Sequence, residues 1–317
     1  MAACRMEDIT HQHQPVLLAE VIHHLAIKPD GIYVDATFGR GGHADAILNQ
    51  LNTKGRLLAM DKDPEAVAYA RKLFANEKRF AIQHGSFADL KSFLINQNVY
   101  GHIDGLLLDL GVSSPQLDDP DRGFSFMRNG KLDMRMDSSS GVSAAEWIAD
   151  IDEETLATVL FEYGEERFSR RIARAIIAAR QQKPITTTHE LAEIIAAAHP
   201  AWQKGKHPAT RSFQAIRIAV NQELDDLQHV LEQSVAALNV KGRLLVISFH
   251  SLEDRIVKHF MQDHERGEEL PAKLPVKHLH HQPIFKRVGR AIKPSEQEMN
   301  MNPRSRSAVL RIGEKLS

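Results

Sequence analysis

A doubly wound, Rossmann-like α/β sheet carrying an inserted all-helical domain is the fold this sequence predicts, and three observations predict it. Gly31 to His43 reads G-I-Y-V-D-A-T-F-G-R-G-G-H, a β-branched and aromatic run, then a glycine turn, then a segment from Ala44 to Leu51 of helical character. Further short apolar runs alternate with helical patterns, the signature of βαβ units and a parallel sheet. That rhythm stops after Asp109 and resumes only at Gly242, so the intervening helices are expected to be an insertion.

The first helix is placed at Leu18 to Leu25, ending before the turn signal Lys28-Pro29-Asp30-Gly31. Strand one is Ile32 to Asp35, and strand two runs from Arg56 to Asp61. Asp63 and Pro64 then suit the N-cap and first position of a helix to about Phe74. A third strand spans Phe80 to His84, followed by Gly85-Ser86-Phe87. The fourth, Ile103 to Asp109, is almost continuously apolar, as a strand buried on both faces should be. After the insert, Gly242 to His250 is the fifth strand, and Ser251 with Asp254 resembles a capping box opening a helix from Leu252 to Gln262. Two last strands are expected near Ile284 to Val288 and Ala308 to Ile312. The predicted boundaries are 1–113 with 207–317 for the sheet domain and 114–206 for the helical insert.

The chain has 317 residues, 43% of them hydrophobic, enough for one large or two ordinary domains. It has neither a membrane-length apolar run nor a signal-peptide pattern at its start, so a cytoplasmic protein is expected. A single cysteine, Cys4, excludes an internal disulfide framework and a thiolate-rich zinc site. The histidine groups His11 with His13, and His278 with His280 and His281, are read as exposed loop residues, and no metal is expected. Net charge is −1, but it is unevenly spread. Lys273 to Arg311 holds nine Lys or Arg against two Glu, while Asp104 to Asp121 holds five Asp and no basic residue.

Gly39, Gly41 and Ala44 satisfy the G-x-G-x-x-G/A dinucleotide pattern, whose glycines let backbone amides approach a ligand. Asp61 closes the second strand at the position from which an acid reaches ribose hydroxyls. Asp35, at the tip of the first strand, would repel a pyrophosphate but suits the sulfonium and ammonium of S-adenosylmethionine. Its plainer role is a turn or N-cap residue. Phe87 is a candidate for stacking on adenine, with a helix-start staple as the alternative.

Within the insert, Arg167, Arg170, Arg171 and Arg174 share one helical stripe, rotated from the apolar stripe Phe168, Ile172, Ile176 and Ala179. The stripe fits a polyanion, or else a solvated face paired with Glu162, Glu165 and Glu166. Lys204, Lys206, Arg211 and Arg217 add to an RNA reading.

These residues resemble those of the bacterial 16S ribosomal RNA cytosine-N4 methyltransferases, the RsmH/MraW family, over nearly the whole chain. The resemblance runs through D-A-T-F-G-R-G-G-H from Asp35, L-L-L-D-L-G-V-S-S-P-Q-L-D from Leu106, R-G-F-S-F-M-R from Arg122 and L-D-M-R-M-D from Leu132. It continues through Y-G-E-E-R-F from Tyr163, H-P-A-T-R-S-F-Q-A-I-R-I-A-V-N from His207, S-F-H-S-L-E-D-R-I-V-K from Ser248 and N-P-R-S-R-S-A-V-L-R from Asn302. It implies a class I methyltransferase sheet, S-adenosyl-L-methionine as cofactor, and donor contacts at Gly41, Gly42, His43, Asp61, Phe87, Asp109 and Gln116. It also implies 16S ribosomal RNA within the small subunit as partner, and N4 of a decoding-region cytidine as acceptor. Gly267 to Lys293 departs from the pattern.

Such a transfer needs the amine held near attack geometry with its N–H groups accepted. Asp109 or nearby loop carbonyls are candidates for that acceptance, and His250 for orienting the base or taking the proton through water. A structural histidine is the competing reading of His250. The D/N/S-P-P-Y/F motif of DNA amino-methyltransferases is absent after Asp109, so the amine acceptor follows from the resemblance alone. An NAD-dependent oxidoreductase would explain the glycines and Asp61 but not Asp35. A DNA amine methyltransferase shares the chemistry, and a non-enzymatic RNA-binding scaffold would leave the three strand-end acids without a purpose.

Overall fold

The computed structural model describes residues 15–201, 205, 207–266 and 283–317. The chain forms two compact units, one ending at Gly111 and resuming at Leu227, the other spanning Val112–Asp226.

The first unit is built on one seven-stranded sheet of order β3-β2-β1-β4-β5-β7-β6. Its strands are β1 (Ile32–Asp35), β2 (Arg56–Asp61), β3 (Phe80–His84), β4 (Ile103–Asp109), β5 (Leu238–Ser248), β6 (Phe285–Arg287) and β7 (Val309–Lys315). Strands β1 to β5 are parallel, β7 is antiparallel to β5, and β6 is antiparallel to β7. Successive side chains leave a strand on opposite faces, and here both faces are covered. Leu58 and Met60 join one apolar cluster with Phe93, Val230 and Val257, while Leu57 and Ala59 join the other with Val21, Ile47 and Ala70. The helices packing these faces include α1 (Leu18–Leu25), α2 (Gly42–Leu48), α3 (Pro64–Leu73) and α4 (Leu90–Asn96). Strand β5 begins at Leu238, ahead of the expected Gly242, because Leu238 already pairs with Ile103 across a bulge.

The strand order reverses direction at β1, which lies between β2 and β4. Crossovers therefore leave to either side, and the carboxyl ends of β1 and β4 border a crevice, the place where open α/β sheets bind ligands.

The second unit holds α5 (Ser114–Asp118), α6 (Ala144–Asp150), α7 (Glu153–Glu162), α8 (Ser169–Gln182), α9 (Thr188–Ala198) and α10 (Ala209–Asn221). Its boundary corrects the expectation of 114–206. Ala209, Phe213, Ala215 and Ile216 of α10 are buried with Leu156, Ile172 and Leu191 in this unit's own core, so its C-terminal limit is Asp226. The chain then continues through α11 (Glu223–Ala237), with α12 (Ser251–Arg266) and α13 (Glu296–Met301) later in the first unit.

The opening of α12 is also corrected. Glu253 is the capping acid, its Oε2 accepting from the amides of Phe249 at 2.8 Å and His250 at 3.2 Å. Asp254 is directed elsewhere, pairing bidentately with Arg311 on β7 at 2.7 and 2.9 Å.

Candidate active site

The crevice of the first unit is lined by the ends of β1, β2 and β4 and by the glycine loop after β1. Thr37 ties two of these strands together. Its amide donates to Asp35 Oδ1 at 3.2 Å, and its hydroxyl accepts from the Asp109 amide at 2.6 Å. Sequence reasoning passed over Thr37, although its place two residues after the strand-tip acid was a usable signal. At β2, Asp61 holds the loop itself, with Oδ2 accepting from the Gly39 amide at 2.7 Å and Oδ1 from the Asp63 amide at 2.8 Å. Gly41 has φ +78°, and a Cβ there would lie 2.6 Å from the Phe38 ring, so only glycine fits. Gly42 is similarly confined by Pro15, whose Cγ would lie 2.2 Å from an added Cβ.

Several polar atoms at this end of the sheet lack hydrogen-bond partners within the chain. Asp35 is 1% exposed, and while one oxygen makes the expected turn contact, Oδ2 has no hydrogen-bond partner in the chain. Both ring nitrogens of the buried His43 lack partners too, as does Asp109 Oδ1. Burial raises the Asp35 carboxyl to about 7, opposed by His43 and the Thr37 amide and reinforced by Asp109 and Asp61. The protein packed around Asp61 raises its carboxyl to about 6, offset by the Asp63 and Gly39 amides, although the residue keeps some solvent exposure. Unpaired buried acceptors are costly, and Asp35 Oδ2 and Asp109 Oδ1 have the chemistry to take hydrogen bonds or a positive charge from a ligand.

Other expected residues fall in place differently. Phe87 opens a short 3-10 turn capped by Ser86 and packs partly buried against the sheet's core. Gln116 belongs to the second unit, where its side-chain oxygen accepts from the Ser113 amide at 2.9 Å and closes a capping box on α5. His250 is largely buried, with Nε2 3.2 Å from Glu253 Oε1 but without hydrogen-bond geometry. Glu253, buried beside it, was missed in the sequence because its neighbour Asp254 fitted the capping spacing as well.

In the second unit, Arg170, Arg171 and Arg174 are exposed along α8, while Ile172 and Ile176 are buried on its other side. Arg167 is exposed as well, but it lies in the turn before α8 rather than on the helix. The glutamate pairing expected for the stripe is altered. Arg174 approaches Glu153 of α7 at 3.6 Å, and Glu166 turns inward to accept from the Phe168 amide and approach His199. Arg211 donates to the Glu165 carbonyl at 3.1 Å, and Arg217 forms a bidentate pair with Glu223. Lys204 and Lys206 lie outside the described residues, as do Cys4, His11, His13, His278, His280 and His281. No helix among the described residues is long and apolar enough to cross a membrane.

The strand order and the switch-point crevice define a Rossmann-like, doubly wound α/β domain. Residues 10–316 match the MraW methylase family, and the chain belongs to that family. It is 60% identical over 306 residues to the ribosomal RNA small subunit methyltransferase H of Legionella pneumophila (strain Corby), covering 96% of this chain and 99% of that one. The protein of the same name from Hydrogenovibrio crunogenus is 57% identical over 304 residues, covering 96% of each. That from Pseudoalteromonas atlantica is 54% identical over 306 residues, covering 96% of this chain and 98% of that one. For a methylase of this family and fold the cofactor is S-adenosylmethionine, and the unpaired acceptors at Asp35 and Asp109 fit its cationic methionine end.

Proposed function

We propose that the protein methylates the exocyclic N4 of a cytidine in the decoding region of 16S ribosomal RNA, with the RNA presented in the small ribosomal subunit. The observation that carries the reading is the cluster of unpaired acceptors at the ends of β1 and β4 in a chain whose relatives are named small-subunit ribosomal RNA methyltransferases. S-adenosylmethionine supplies an electrophilic methyl group and leaves as S-adenosylhomocysteine.

The chain's own residues supply positioning and charge. Asp61, held by the Gly39 and Asp63 amides, presents its remaining lone pairs to the ribose hydroxyls. Asp35 and His43 face the methionine end, and Gly41 and Gly42 keep the loop backbone close to it. Phe87 borders the adenine. Gln116 completes the donor contacts that the family resemblance implies. Asp109 accepts an N–H of the incoming amine through Oδ1, which favours a localised lone pair on nitrogen. His250 takes the proton through water, held in place by the capping of its own amide on Glu253. The base must be unpaired or flipped to reach a buried donor. Arg167, Arg170, Arg171, Arg174 and Arg211 of the insert, with Lys204 and Lys206, contact RNA phosphates as the insert's contribution to substrate recognition.

Mass spectrometry of nucleosides from small-subunit RNA tests the reading, comparing cells with and without the protein and then adding purified protein and donor back. The expected product is an N4-methylated cytidine restored by the protein. A product methylated on ring carbon, or no change in the RNA, overturns it.

A further inference from the structure

We propose that Arg290, Lys293 and Arg306 form a phosphate-binding rim on the sheet unit that grips the backbone of the substrate RNA beside the end of β4. The inference rests on the reading of the protein as an RNA methyltransferase, and it gives the sheet unit its own share of the RNA.

Two sets of three stand out among the described basic residues of the C-terminal segment. Lys286 pairs with Glu314 at 2.7 Å, Arg287 with Glu265 at 2.5 Å, and Arg311 with Asp254, so these three cations are used internally. Arg290, Lys293 and Arg306 are exposed and form no ion pair among the described residues. A cation that stabilises no partner in the fold is available to an external anion.

Sheet register places the second group. Asp109 pairs with Ile247, Ile247 with Leu310, and Leu310 with Ile292, a single row across the sheet. At roughly 4.8 Å per strand, the backbone of Ile292 is about 15 Å from that of Asp109. Lys293 follows Ile292 directly, and Arg290 lies two residues before it. Arg306 sits in the 3-10 turn Pro303–Ser307 that leads into Val309, and Val309 pairs with Ser248, the last residue of β5. Because β7 is antiparallel to β5, its start lies at the carboxyl end of the parallel strands, where the strand-end acids are.

The turn is rigid. Asn302 Oδ1 accepts from the Arg304 amide at 3.2 Å, the buried Ser305 donates its hydroxyl to the Asn302 carbonyl at 2.8 Å, and the Ala308 amide closes on Ser305 at 2.8 Å. Of the two nearby acids on α13, Glu298 is committed to the Leu17 amide at 2.7 Å, leaving Glu296 exposed. The cations are spread along an edge instead of converging on a point, an arrangement suited to successive phosphates of a strand.

Full-length protein with Arg290→Gln, Lys293→Gln and Arg306→Gln combined would be titrated with small-subunit RNA across a salt series, beside each single variant and a charge-keeping set, Arg290→Lys with Arg306→Lys. The slope of log affinity against log salt is expected to fall by about 0.7 for each lost contact. KM for RNA should rise, donor affinity should hold, and the charge-keeping set should match the wild type. An unchanged slope overturns the proposal, and so does a defect confined to assembled subunits and absent on free RNA, which would assign the rim to an acidic protein. Wild-type protein that neither binds nor methylates small-subunit RNA, free or in assembled subunits, would instead overturn the functional reading beneath it.

Discussion

His43 Nε2 lies 3.6 Å from Asp109 Oδ2, and the imidazole is only 6% exposed with neither nitrogen hydrogen-bonded in the chain. This contact joins the glycine loop to the end of β4 next to Asp35, whose Oδ2 is equally unpaired. Asp35 and His43 are buried there, and Asp109 Oδ1 is also without a hydrogen-bond partner, so donor binding at this place is expected to supply the missing contacts.

Donor affinity should depend on pH with a definite sign. Asp35 and Asp61 have folded-state pKa values raised to about 7 and about 6, from an ordinary 3.8. Each therefore binds more protons folded than unfolded in that interval, so the free protein loses stability as pH rises from about 4 toward 7. A cationic donor prefers the ionised carboxylates, and its affinity should rise over the upper part of the same range. Thermal melts with and without donor should show a larger donor-induced shift at about pH 8 than at about pH 5.5. Equal shifts at both would mean that neither acid faces the donor's charge.

Asp61→Ala should cost roughly 2 to 4 kcal/mol of donor affinity, through lost and unpaired polar groups. Because Asp61 also accepts the Gly39 and Asp63 amides, part of that loss comes from a loosened loop. Asp61→Asn keeps the shape but brings one NH2 against an amide donor, so it too should weaken binding. Calorimetry on folded protein decides, and wild-type affinity in both variants would remove Asp61 from the donor site.

Cys4→Ser should retain full methyl transfer, since an amine acceptor needs no thiolate adduct. Loss of activity in a folded variant would reopen a ring-carbon acceptor.

Replacing Arg167, Arg170, Arg171 and Arg174 in pairs by Gln should lower RNA affinity and flatten its salt dependence by about 0.7 to 1 slope unit per lost contact, leaving donor affinity unchanged. Arg174, which already approaches Glu153, should contribute least. Normal RNA binding across the salt series would show α8 to carry a solvated face, and would leave the C-terminal rim as the tested alternative.

What the sequence determined alone was the frame. Strands β1, β2 and β4 fall where their apolar runs end in Asp35, Asp61 and Asp109, because a strand buried on both faces must be apolar throughout and its polar end marks the exit from the core, while the half-buried edge strand β3 ends at His84 before a glycine. Asp63 with Pro64 likewise announced α3, since cap and first turn are adjacent in sequence. Tertiary structure alone decided matters that depend on long-range partners. It assigned α10 to the insert through burial against α7 and α9, and it gave the cap of α12 to Glu253 because Arg311 claims Asp254. It also separated the basic residues held in ion pairs, Arg217, Arg287 and Arg311, from those left to solvent, Arg290, Lys293 and Arg306. Charge along a chain is local information, but whether a charge is neutralised depends on which distant side chain the fold brings within a few ångströms.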